Sequence, residues 1–333
     1  MRITVCQTAP VLLGLDANCE SVIENIRKAA EQKSDLVIFP ELALTGYFVG
    51  PRYHEAVLRM DSQRIARICE ATRGTAAVVG FIEESPSMNF YNSALVAVDG
   101  RLRFAARKLN LPNYGVFEER KFFSPGKRVR VFRIHDFVAA VFICNDLWHP
   151  SLPYLGVCQK ADIIICVMNS SVGSMGSEFS NIETWDVIST FYSRVFGIYT
   201  VCANRAGDES DHALSAFRGA FPEMPSSHAE AHYQECSRPF RFWGGSKVVN
   251  PFGTTIAEAP FYEEGEVTTR ISRELLRRKR ILLPYLSATT TLTSPTASFR
   301  VSSMGRESLP TDEFISSGKE AGRPGRRGCP TPP

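Results

Sequence analysis

The sequence predicts an α/β protein, and three observations carry that expectation. Short apolar, β-rich runs alternate along the chain with segments of helical periodicity, the pattern of a sheet covered by helices. Two of those runs, 36–39 and 138–143, read as buried strands that stop abruptly at a polar turn. The composition of residues 1–286 can supply a core, whereas 287–333 is dominated by Thr, Ser, Pro, Gly and Arg and cannot offset its ordering entropy. The expected organisation is therefore one domain over 1–286 and a disordered tail over 287–333.

Residues 2–8 alternate and are β-rich, a first strand. Asp16 is placed to cap a helix over 17–32, whose Cys19, Val22, Ile23, Ile26, Ala29 and Ala30 fall on one face. The buried strand 36–39 delivers Glu41. Val57, Leu58, Ile65, Ile68 and Cys69 predict a second helix within 53–72, broken near Asp61. Strands follow over 76–83, 91–98 and 102–107, the last two joined by a tight turn at Asp99-Gly100. A strand pair over 129–133 and 137–143 comes next, then a helix over 152–160 and a buried strand over 162–168. Helical periodicity over 178–196 carries Trp185, Phe191, Tyr192 and Phe196, more aromatic surface than one buried face requires. Strands over 198–203, 245–250, 254–259 and 266–271 and a basic helix over 274–281 complete the body. No repeat of fixed period is present.

The 333 residues are 44% hydrophobic and 22% charged, an ordinary globular composition. Net charge is +3, and six Lys/Arg against four Asp/Glu put +2 of it in the tail. The nearly neutral body argues against a nucleic-acid or membrane-surface partner and suits a small-molecule enzyme. The nine cysteines form no CxxC pair, and Cys6, Cys166 and Cys202 lie in apolar strands, so buried free thiols in a reducing cytoplasm are expected. No leader-like segment opens the chain, and no apolar run approaches the ~20 residues that span a bilayer.

Three strand ends carry the chemistry. One buried strand runs through Pro40 into Glu41, a second ends at Lys108, and a third ends at Cys144, followed by Asn145-Asp146-Leu147-Trp148-His149-Pro150. Taken singly each is weak: a lone strand-end cysteine is more often a small core residue, and a lone lysine a surface snorkeller. Together they form a hydrolytic set. A thiol of ordinary pKa ~8.5 is mostly protonated at neutral pH, so Glu41 is suited to accept its proton as Cys144 attacks a carbonyl carbon. Lys108 supplies a full positive charge to the oxyanion, and the backbone amide of Asn145 a donor beside the nucleophile. His149 is near Cys144 in sequence, but no motif supports a Cys-His site.

In this order the motifs around Glu41, Lys108 and Cys144 resemble the nitrilase superfamily of carbon–nitrogen hydrolases, over roughly residues 1–287. The stretches Leu111-Pro112-Asn113-Tyr114-Gly115 and Cys144 to Pro150 are most similar to the glutaminase domains of glutamine-dependent NAD synthetases and related stand-alone amidases. The resemblance implies a four-layer α-β-β-α sandwich and a cysteine thioester mechanism on a small amide or N-carbamoyl compound, with no cofactor. Asp146, where nitrilases have Glu, points to an amide over a nitrile. The resemblance also implies that Glu119 contacts the lysine or the substrate nitrogen, with Glu118 as the neighbouring alternative. Trp148 either walls the pocket or packs under the turn. A free-standing amidase or a glutaminase subunit for a separate synthetase is expected ahead of a non-catalytic member of the fold, and the resemblance implies a homodimer or higher homo-oligomer packed through helices near the nucleophile and the chain end. A departure from the family is an insertion of about thirty residues, 208–241, before Phe242-Trp243-Gly244-Gly245. Its His228, His232 and Cys236, spaced i, i+4, i+8, would share a helical face, but three ligands fall short of the usual four for zinc. No metal is therefore expected in the mechanism.

Overall fold

The computed structural model describes residues 1–174, 180–209 and 240–284. In chain order its strands are β1 (Arg2–Gln7), β2 (Leu36–Ile38), β3 (Val57–Leu58), β4 (Ala76–Glu84), β5 (Phe90–Val98), β6 (Arg101–Arg107), β7 (Arg130–Ile134), β8 (Phe137–Ile143), β9 (Ile163–Met168), β10 (Tyr199–Asn204), β11 (Ala206–Glu209), β12 (Phe240–Trp243), β13 (Lys247–Val249), β14 (Thr255–Glu258) and β15 (Gly265–Arg270). The helices are α1 (Leu15–Glu31), α2 (Gln63–Ala71), α3 (Ser151–Cys158), α4 (Asn181–Phe196) and α5 (Arg273–Leu282). One mixed sheet has the order β15-β1-β2-β4-β5-β6, with β3 paired to β4; a second has the order β14-β13-β10-β9-β8-β7. Strands β11 and β12 form a separate two-stranded ribbon.

Strand alternation explains the layering. Ile3, Val5, Leu36, Ile38, Val78 and Val96 of the first sheet meet Phe132, Val141, Ile143, Ile165, Val167 and Val201 of the second in one buried cluster. The opposite face of the first sheet, through Val37, Phe39, Val79 and Phe81, packs with Ile23 and Ile26 of α1 and Ile65 and Ile68 of α2. The outer face of the second, through Phe142, Ile164, Cys166 and Met168, packs with Val157 of α3 and Trp185, Tyr192 and Phe196 of α4. The result is a four-layer α-β-β-α sandwich. Central strands have both faces buried, which is why 163–168 is apolar at every position. Each such Leu, Ile or Val contributes ~1.5–3 kcal/mol relative to exposure.

Two local expectations are corrected. Asp16 is not a cap: α1 begins two residues earlier, after Gly14, and the Asp16 carboxylate pairs instead with Arg64 of α2 at 2.7 Å. The helix expected over 53–72 is divided further than a break near Asp61. Gly50–Ala56 is a 3-10 turn, Val57–Leu58 pairs in parallel with Ile82 and Glu83 of β4, and α2 starts only after Ser62, whose hydroxyl accepts from the Ile65 amide. A free sheet edge at β4 captures Val57 and Leu58, overriding helical spacing. The Asp99-Gly100 turn is as expected, with positive φ of 50° and 73° at its two residues.

Candidate active site

The C-terminal ends of β2, β6, β8 and β9 converge, the place where open α/β sheets gather functional groups. Glu41 follows β2 on a turn that crosses β4 at Gly80. A Cβ at Gly80 would lie 2.3 Å from the Leu42 nitrogen and 2.4 Å from the Pro40 oxygen, so only glycine admits this approach. Glu41 is fully buried. Its Oε1 accepts from Asn92 Nδ2 at 2.7 Å and from Lys108 Nζ at 2.7 Å, and its Oε2 from the Asn169 amide at 2.8 Å.

Lys108, also buried, donates a second bond to Glu119 Oε1 at 2.6 Å. Burial alone would lower its pKa. The carboxylates of Glu119 and Glu41 outweigh that effect and hold the ammonium well above its ordinary value. Tyr47 donates its hydroxyl to the same Glu119 oxygen at 2.5 Å. Burial, then the neighbouring Glu119 and Glu41, push the Tyr47 phenol up, so it remains a donor. Burial also raises Glu119 itself, against the pull of Lys108.

Cys144 ends β8 and opens a 3-10 turn, Cys144–Trp148. Its φ of +43° is a strained value for a residue with a side chain. Burial and then Glu41 push its thiol well up, while Lys108 and the Asn169 amide oppose them. Asp146 ties the turn to the lysine strand. Its Oδ1 accepts from the amides of Leu109 and Asn110 at 3.0 and 2.8 Å, and its Oδ2 from Ile143 at 3.1 Å. Asn145 accepts from the Tyr114 hydroxyl at 2.5 Å and donates to the Asn110 carbonyl at 3.2 Å.

Cys144 lies in the wall of a cleft together with Tyr47, Pro112, Tyr114, Phe117, Asn145, Trp148, Asn169, Ser170, Asn181 and Trp185. Trp148 thus walls the cleft, edge-on to Trp185 with centroids 5.9 Å apart. Among the described residues, Glu119 Oε2 and both polar atoms of the Asn169 side chain are buried without a hydrogen-bond partner. Leaving such groups unpaired costs about 1–3 kcal/mol each, which a ligand in the cleft would recover.

The sequence-derived Glu41, Lys108, Glu119 and Cys144 are therefore brought together. Glu118 points elsewhere and pairs with Lys121, both exposed. His149 is exposed at the end of the turn and is not among the cleft-lining residues. Sequence reasoning missed Tyr47, Asn92, Tyr114 and Asn169. Only Asn169 had a usable signal: like Glu41 and Cys144, it is the first polar residue after a buried strand. His228, His232 and Cys236, most of the 208–241 insertion, and the tail from Ser287 lie outside the described residues. Among the described residues no cluster of three His, Cys, Asp or Glu could hold a metal. No described helix is long and apolar enough to cross a membrane.

A buried acid–lysine–acid group beside a strand-end cysteine in a four-layer sandwich defines a class, and the chain belongs to it: the carbon–nitrogen hydrolase family, whose model matches residues 2–281. Individual similarities are of two kinds, to curated sequences and, in fold alone, to solved structures. The chain is 37% identical over 158 residues to the glutamine-dependent NAD(+) synthetase of Thermotoga maritima, covering 46% of this chain and 27% of that one. It is 26% identical over 281 residues to the corresponding synthetase of Acinetobacter baylyi, covering 84% of this chain and 46% of that one. It thus spans less than half the length of these curated relatives. The amidase of Nesterenkonia sp. AN1, solved as a mutant with acrylamide added at its active-site cysteine, superposes with a TM-score of 0.64 or close to it across its forms; that mutant gives 0.63 at 18% identity, over 85% of this chain and 98% of its own.

Proposed function

We propose that the protein is a thiol amidohydrolase that cleaves the C–N bond of a small amide or N-carbamoyl compound. The observation that carries this reading is the Glu41–Lys108–Glu119 group, buried beside Cys144, with Glu119 Oε2 left open for a donor. The Cys144 sulfur attacks the carbonyl carbon while its proton passes to Glu41. Lys108 and the Asn145 backbone amide face the oxyanion; amides at the start of such a turn have no partner within it. The C–N bond breaks as Glu41 returns the proton to the nitrogen, which leaves as ammonia or an amine. Glu41 then takes a proton from water, the hydroxide attacks the thioester, and the acid departs with the thiol restored. Glu119 Oε2 and the side-chain amide of Asn169 suit the substrate's N–H and neighbouring polar atoms. A second reading, a glutaminase that supplies ammonia to a synthetase, is favoured by the likeness to glutamine-dependent NAD(+) synthetases.

Ammonia release from glutamine, simple aliphatic amides, N-carbamoyl compounds and nitriles tests both. Turnover of amides or carbamoyl compounds, with a hydroxamate formed in hydroxylamine, is the expected result. Preference for glutamine moves the conclusion to the glutaminase, and preference for a nitrile to a nitrilase. Cys144→Ala is expected to abolish turnover and leave thermal unfolding unchanged; activity above a trace in that variant would overturn the mechanism.

A further inference from the structure

Outside the reacting groups lies a buried ion pair that the mechanism does not use. Arg205 and Glu209 are both almost fully buried and paired with each other. Removing two charges from water is expensive unless their remaining valences are satisfied, and here they are satisfied by the active-site loop. Glu209 accepts from the Tyr47 amide at 3.0 Å and from the Phe48 amide at 2.9 Å. It sits so close to this loop that a Cβ on Gly46 would lie 2.7 Å from its Oε1. Arg205 donates to the Pro10 carbonyl at 3.4 Å, and its guanidinium lies 4.2 Å over the Phe242 ring. The Phe48 ring stacks on Phe240 with centroids 4.0 Å apart. Tyr47 is thus held at its backbone by Glu209, while its hydroxyl holds Glu119, whose same oxygen holds Lys108.

We propose that Arg205 and Glu209 are positioning residues that set Tyr47 and, through its hydroxyl, the placement of Glu119 and Lys108 around Cys144. A pair that merely stabilised the β10–β11 corner would have no reason to spend its carboxylate on two successive amides of the loop bearing Tyr47. The turnover part of the test rests on the amidohydrolase reading, but reaction of Cys144 with iodoacetamide does not.

The experiment is a double-mutant cycle of Glu209→Gln and Tyr47→Phe. It is read by ammonia release from whichever amide is turned over fastest, and by the pH profile of iodoacetamide alkylation at Cys144, followed by peptide mass spectrometry. Because the Glu209 bonds go to backbone amides, Tyr47→Phe leaves them in place. Small misplacements near reacting groups are costly, so each single variant is expected to lower kcat by about tenfold or more with little change in KM. The double variant should be no slower than the slower single within about twofold, since residues acting through one contact are not additive. Both singles should displace the alkylation profile in the same direction, and the double no further. Multiplicative effects, or a loss of melting temperature with kcat and the alkylation profile unchanged, would overturn the proposal. Should Glu209→Gln fail to fold, Arg205→Lys, which keeps the charge, replaces it in the same cycle. If no amide is turned over, the alkylation cycle decides alone, so the two readings fail separately.

Discussion

Cys144 shows how the neighbourhood of a side chain decides its chemistry. Its position at the end of β8 is fixed by an apolar run, but its protonation is fixed by residues far away in sequence. Burial and Glu41 raise its pKa well above 9.0, so the resting group is a thiol, and Lys108 beside it stays cationic. The sign of the pH dependence follows. Iodoacetamide should alkylate Cys144 slowly at neutral pH, with a rate that climbs through about pH 9 without a plateau below it. Glu41→Gln removes a negative neighbour and should move that rise to lower pH; an unperturbed profile near pH 8 in the wild type would contradict the assignment. Glu41 and Cys144 were legible because each follows a strand that a short apolar run announces, whereas Lys108 ends a strand rich in arginine and was legible through the motif that follows it. Asn92 was not. It lies inside β5, opposite Ile82 in the ladder, and its contact with Glu41 exists only once β2, β4 and β5 are side by side. Tyr47 escaped notice because nothing local marks a tyrosine that holds a carboxylate 72 residues away.

Between elements, the sequence was readable where a segment satisfies itself and unreadable where a neighbour decides. The hairpin at Asp99-Gly100 and the apolar face of α1 are local facts. The second sheet was not evident from periodicity and entered only through family resemblance, because alternation reveals a buried face without saying what covers it. The same limit hid the role of Asp146. Its carboxylate staples the end of β6, just past Lys108, to the end of β8, just before Cys144. Asparagine has one acceptor oxygen and would turn an N–H donor toward an amide N–H. Asp146→Asn is therefore expected to destabilise the fold by about 2–4 kcal/mol and to lower kcat, as measured by denaturant unfolding and ammonia release. Burial lifts Asp146 from its ordinary 3.8 to about 7, against three amide donors. A carboxyl raised in the native state adds stability at pH below its unfolded value and loses it as pH rises through the folded one. Wild-type stability should fall relative to Asp146→Asn between about pH 4 and pH 7 and run parallel above. A difference independent of pH across that window would show that Asp146 keeps an ordinary pKa.

For the molecule as a whole, the open matter is assembly. By sequence, the four aromatics of 178–196 exceed what one buried face requires. In the structure Trp185, Tyr192 and Phe196 belong to the core beneath α4. The surplus is smaller and sharper: Phe191 is 49% exposed, and Val187, one turn before it, is 68% exposed. Singly exposed apolar residues are normal, but two on one helix stripe present a face that a second copy can match. We propose a homodimer in which the α4 stripes of two copies meet. A two-fold interface is self-complementary, so Val187 and Phe191 of one copy would face the same stripe of the other. Light scattering on a size-exclusion peak should give twice the 37.0 kDa of the chain. Phe191→Glu brings two like charges together across such an axis and should return the mass to that of one chain, while Phe191→Leu should not. Since α4 also supplies Trp185 to the cleft wall, the monomeric variant should show a changed KM with its melting temperature newly independent of protein concentration. A wild-type peak at the mass of one chain, or a Phe191→Glu protein that remains dimeric, would refute this stripe as the interface.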